Sequence, residues 1–129
     1  MANKWRIPFV IASLGRLAWG VGAMLAPEWI GGRLAPRIDG HGGARLNSRG
    51  MGGLQTGVGL YTLARAKSAQ SARTVLSLNM LVDGLDLVGV SLLEWRDRGE
   101  IDALVAGDIA FNGAFFLCWT ALAASLRNG

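Results

Sequence analysis

The sequence predicts an all-α protein: a four-transmembrane-helix bundle with up-down-up-down topology. Three observations carry that prediction. The letters AVILMFWYC supply 51% of the 129 residues and the four charged types only 17%, with a mean hydropathy of +0.34; soluble domains sit nearer about 45–50% and about 25%. The apolar residues collect into four segments, and about 20 such residues cross the ~30 Å of a bilayer's hydrocarbon. The basic residues fall between those segments, at Lys4 and Arg6, Arg33 to Arg49, Arg65 to Arg73, Arg96 and Arg98, and Arg127. That is the layout of loops between spans within one integral membrane domain.

Span 1 is placed at 7–26, IPFVIASLGRLAWGVGAMLA, with Arg16 as its one charge. Pro8 sits in its first turn, where a missing N–H costs little, and Pro27 closes it. Span 2 has a short apolar heart at 51–64, MGGLQTGVGLYTLA, so it is extended to 46–65 and takes in Arg49. Span 3, at 74–94, carries Asp83 and Asp86 inside it. Span 4, at 103–126, carries Asp108 near its start and Asn112 one turn on. The connectors are a Gly/Pro-rich stretch from Pro27 to Gly43, a short polar link AKSAQSA from Ala66 to Ala72, and a charged link from Glu94 to Asp102 with Gly99 as the break. Trp5, Trp29 and Trp95 fall at predicted span ends, where indole rings prefer the headgroup region.

Several other classes fail on the same residues. A soluble helical bundle needs a broad polar face on its surface helices, and none of the four segments has one. A cleaved leader is disfavoured because Arg16 interrupts its apolar stretch. The pI of about 10.2 would suit a nucleic-acid binder, but the basic residues form no stripe with interleaved aromatics. One Cys and one His leave no internal disulfide and no Cys- or His-built metal cage, so neither a metal nor a cofactor is expected. Ser13, Ser77, Ser91 and Cys118 have no His nearby in sequence for a nucleophilic triad, and His41 reads as part of a flexible connector. The leading reading is therefore a non-enzymatic module.

Orientation follows from Lys and Arg in the loops. One side collects Lys4, Arg6, Arg65, Lys67, Arg73 and Arg127, six in all; the other collects Arg33, Arg37, Arg45, Arg49, Arg96 and Arg98, also six. The second count falls to four if the membrane-embedded stretch reaches back to take in Arg45 as well as Arg49. Both termini are then cytoplasmic, in a multi-pass protein of the plasma membrane.

The polar residues inside the spans are the candidate site: Arg16, Arg49, Gln55, Asp83, Asp86, Asp108 and Asn112. An ionisable side chain at bilayer depth costs about 2.5–3.5 kcal/mol on insertion scales, so each should face the bundle interior and find a partner. Asp83 and Asp86 are three residues apart and share a helix face. Two arginines against three aspartates leave a net charge of −1, which invites a proton into the cluster. Two readings stay open: an ion-pair and hydrogen-bond network that fixes which helices pack together, or a ligand pocket or proton relay. Gly53-x-x-x-Gly57 and Ala18-x-x-x-Gly22-x-x-x-Ala26 are spaced to bring helix backbones close within the bundle.

Arg16-x-x-x-Gly20 followed by Pro27, then Arg49-Gly50 with Gly57 downstream, then Asp83-x-x-Asp86, together resemble a group of small bacterial four-span membrane proteins of unknown function, distantly DoxX-like. The resemblance covers about Ile7 to Leu93. It implies the four-span fold, an Arg/Asp cluster and location in the bacterial inner membrane, and no known reaction. The expected partners are the lipid bilayer and either a hydrophobic or amphipathic small molecule or another membrane protein, with a homo-oligomer as a further arrangement and no nucleic acid. The functional expectation is an accessory or small-amphipathic-ligand-binding module, with a proton-coupled transporter or channel acting as a homo-oligomer as the alternative.

Overall fold

A computed structural model describes residues 4–27, 42–101 and 103–127. Among these residues there are five α-helices, one π-helical segment and no strand. They are α1 (Arg6–Leu25), α2 (Gly42–Ala64), α3 (Ala69–Asp86), the π segment Leu87–Leu92, α4 (Leu93–Arg98) and α5 (Ala103–Arg127). Trp29, Arg33, Arg37, Asp39 and His41 lie outside the described residues. The chain divides into two compact units, one of Val10–Ala64 and one of Met1–Phe9 with Arg65–Gly129.

In the first unit, α1 and α2 form an antiparallel pair. Ala12, Ser13, Arg16, Gly20 and Ala23 are buried along α1, and Gly52, Gln55, Gly59 and Thr62 along α2. Both sets follow the three-and-four spacing of a helix face. The backbones meet where side chains vanish. A Cβ added to Gly52 would fall 2.6 Å from the Gly20 carbonyl oxygen and 2.8 Å from the Met24 nitrogen, and one on Gly20 would fall 2.5 Å from the Thr56 nitrogen. Further along, a Cβ on Gly59 would press on the backbone of Leu17 at 3.1 Å. The seam is therefore Gly20, Gly52 and Gly59. The expected pair contributes little, since a Cβ on Gly53 would meet only the Met24 sulfur at 3.9 Å and one on Gly57 nothing within 4 Å.

In the second unit, α3, the π segment and α4 run on as one helical stretch. Ser68 starts it: its extended backbone turns the chain into the helix, and its hydroxyl accepts from the Ser71 N–H at 3.1 Å, satisfying one of the first-turn donors. The stretch thus begins five residues before the sequence expectation of 74. Gly99 ends it in the left-handed region at φ 74°, its N–H bonded to the Trp95 carbonyl at 2.9 Å, which only glycine adopts without strain.

Helix α5 packs antiparallel on α3. Ala72, Val75 and Leu76 from α3 are buried, as are Val105, Trp119, Leu122 and Leu126 from α5. Phe9, from the first turns of α1, stands edge-on to Trp119 with centroids 6.0 Å apart, and Trp5 stands edge-on to Phe9 at 5.7 Å. Such edge-to-face pairs add to what area burial alone contributes.

Arg6–Leu25 and Val105–Arg127 are each long and apolar enough to cross a bilayer. On α1 the large apolar side chains turn mostly outward, with Ile7, Ile11, Leu14 and Leu25 exposed. On α5 Phe111 and Leu117 are exposed, while Val105, Trp119, Leu122 and Leu126 point inward.

Candidate functional site

The second unit gathers polar side chains along one face of α3. Asn79, Asp83 and Asp86 recur at the spacing of a helix face; Asn79 and Asp83 are buried, and Asp86 is half-buried. Asn79 Nδ2 donates to the Val75 carbonyl at 2.8 Å in its own helix. One more α-turn would bring residue 90 under Asp86. The chain turns π-helical at Leu87–Leu92 instead, and bonding five rather than four residues back brings residue 91 there.

Ser91 is accordingly buried, with its hydroxyl 3.5 Å from the Asp86 carbonyl oxygen. It links two residues of α5. Its Oγ donates to Asp108 Oδ2 at 2.6 Å and accepts from Asn112 Nδ2 at 3.3 Å. The first distance is at the short end of the O–H···O range. Asp108 and Asn112 lie four apart on α5 and so face the same way; Asn112 is buried and Asp108 half-buried. The result is an amide–hydroxyl–carboxylate chain that ties the π segment to the early turns of α5.

The first unit holds a polar contact between its own helices. Arg16, 3% exposed at the middle of α1, donates from Nη1 to Gln55 Oε1 on α2. Both lie on the buried faces that the glycine seam brings together.

The structure thus joins Arg16 with Gln55, and Asp108 with Asn112 through Ser91. Asp83 and Asp86 lie on the same unit's polar face. Arg49 departs from the expectation that it enters the polar interior. Its side chain is exposed, because it sits about 100° around α2 from the mean direction of Gly52, Gln55, Gly59 and Thr62. Among the described residues no group of three His, Cys, Asp or Glu side chains is placed to hold a metal ion. Asn79 and the bridging role of Ser91 lie outside the sequence-based expectation, in which Ser91 stands only among the candidate nucleophiles. The available signal was a polar residue every turn from Asn79 onward, with one step of five.

No family model, curated protein or solved structure matches this chain.

The second unit also carries a groove of about 640 Å³ between α3 and α5, within the size range of small-molecule sites. Leu76, Met80, Leu81, Leu85, Phe116 and Ala123 make its walls apolar, and Gly84 opens its floor beside the Phe116 ring. Arg73, Ser77 and Arg127 supply the polar groups, all toward one end. Antiparallel packing puts Arg73, near the start of α3, level with Arg127 at the end of α5. The lining is amphipathic along its length, cationic at one end and hydrocarbon-like at the other.

Proposed function

We propose that this chain is a small multi-pass protein of the plasma membrane, with four spans and both termini cytoplasmic, that acts as a non-enzymatic module binding a small amphipathic molecule. The groove between α3 and α5 carries this reading, because its two arginines and its apolar walls match the two ends of such a molecule. The membrane part draws support from how the apolar helices are presented. Only 33% of the apolar window of α1 and 22% of that of α5 is buried. A core helix of a soluble protein would bury most of its length, whereas outward-facing apolar surface suits lipid. The polar contacts Arg16–Gln55 and Ser91–Asp108–Asn112 act here as structural links between helices. The test is extraction into a mild nonionic detergent followed by mass spectrometry under native conditions. A co-purifying amphiphile supports the proposal; a bare protein that also takes up no added amphiphile sinks it.

The polar face of α3 favours a second reading, a proton-coupled transporter or channel acting as a homo-oligomer. Asp83 is deeply buried, and Ser91 extends the polar line to Asp108. Carboxylates inside spans commonly mark proton routes. Asp83→Asn should then abolish pH-driven flux into liposomes, and unchanged flux, or none in the parent protein, removes this reading.

A further inference from the structure

We propose that the groove between α3 and α5 is a site for one anionic phospholipid, its phosphate held between Arg73 and Arg127 and one acyl chain laid along α3 toward Leu85. This rests on the amphipathic-ligand reading and names the ligand class.

Charge is the first argument. Among the described residues the groove lining carries two guanidinium groups and no carboxylate, so no described lining residue counters the charge of its cationic end. Both arginines are exposed and free to fork onto phosphate oxygens, a geometry guanidinium suits better than ammonium. Ser77 stands one helical turn beyond Arg73, where its hydroxyl meets the glycerol and ester region of a lipid whose phosphate is at Arg73. Length is the second argument. From Arg73 to Leu85 the wall of α3 rises about 18 Å, and one leaflet contributes about half of the ~30 Å hydrocarbon core. The lining past Ser77 is apolar to the far end, with Met80 and Phe116 flanking the gap that Gly84 leaves. Zwitterionic lipids have the same chains but place a cation beside the phosphate, so the two arginines discriminate against them.

The experiment titrates purified protein in nonionic detergent with phosphatidylglycerol and, separately, with phosphatidylcholine of the same chains, counting adducts by native mass spectrometry. Near an anionic surface each Lys or Arg is worth enough that two should favour phosphatidylglycerol by about tenfold or more. Arg73→Gln/Arg127→Gln should bring that ratio close to one with helix content unchanged, while Arg6→Gln/Lys67→Gln, which removes equal charge outside the groove, should leave it intact. Glycerol 3-phosphate, the headgroup without chains, should give no adduct. Equal retention of both lipids by the parent protein overturns the proposal, as does a preference that survives the Arg73/Arg127 change or falls equally in the control. Binding of glycerol 3-phosphate as strongly as the lipid overturns it too, by making this a simple anion site. In each of those cases a retained lipid leaves the broader amphipathic reading standing; retention of neither lipid removes both.

Discussion

Ser91 Oγ donates a 2.6 Å hydrogen bond to Asp108 Oδ2 across the second unit while accepting from Asn112 at 3.3 Å. One hydroxyl therefore satisfies a carboxylate and an amide from two turns of α5. It does so from a position that an uninterrupted α-helix would not present to them.

Ser91→Ala should cost about 1–3 kcal/mol, the usual penalty for leaving a buried polar group without its partner. Ser91→Thr, which keeps the hydroxyl, should lose less. Unfolding in mixed micelles of increasing dodecyl sulfate content measures both. Equal stability of Ser91→Ala and the parent would mean that Asp108 and Asn112 find other partners at no cost.

The two arginines inside the predicted spans should behave differently. Arg16 is buried and donates to Gln55, and hydrogen bonds to charged groups contribute about 1.5–3 kcal/mol. Gln55→Leu should destabilise by that order, and Arg16→Leu by at least as much. Arg49→Leu, at an exposed position, should stay within about 0.5 kcal/mol. The same micelle unfolding assay separates them, and equal effects at Arg16 and Arg49 would contradict the burial pattern.

That contrast marks how far the sequence could be read. Long apolar runs in α1 and α5 announced their helices, and a lone Arg16 in one of them announced a buried partner. Arg49 misled because the apolar heart of span 2 is short, and lengthening it backward to bilayer thickness swept in a residue that lies off the buried face. The π segment was hidden for a different reason. Helical periodicity assumes a constant turn, and under that assumption Ser91 falls off the Asn79–Asp83–Asp86 face. Glycines were legible as close-contact residues but not as partners, since the choice among Gly20, Gly52, Gly53, Gly57 and Gly59 depends on the rotation of α1 against α2.

That rotation gives a third prediction. Gly52→Ala places a methyl 2.6 Å from the Gly20 carbonyl oxygen and 2.8 Å from the Met24 nitrogen. Both are backbone atoms, so relief requires the helices to part. Overpacking costs about 1–3 kcal/mol and at times more, and the upper end is expected here. Gly57→Ala meets nothing within 4 Å and should be neutral, or stabilising by up to about 1 kcal/mol from helix propensity. Thermal melts followed by circular dichroism in detergent would show the order; a Gly52→Ala melt equal to that of Gly57→Ala would mean the seam is not tightly closed.

The proposed topology can be tested on the continuous helical stretch of the second unit. From Ala69 to Arg98 it rises about 45 Å, matching the roughly 40–45 Å of a bilayer with its headgroups. Lys67 and Glu100, just outside its ends, are both exposed, so cysteines there should be reactive without disturbing the fold. In a Cys118→Ala background, Glu100→Cys should react with a membrane-impermeant maleimide in intact spheroplasts, and Lys67→Cys only after permeabilisation. Labelling of both from one side would mean that this stretch does not cross the membrane, and the four-span topology would fall with it. Reversed labelling would keep the span but place both termini outside, contrary to the Lys/Arg distribution.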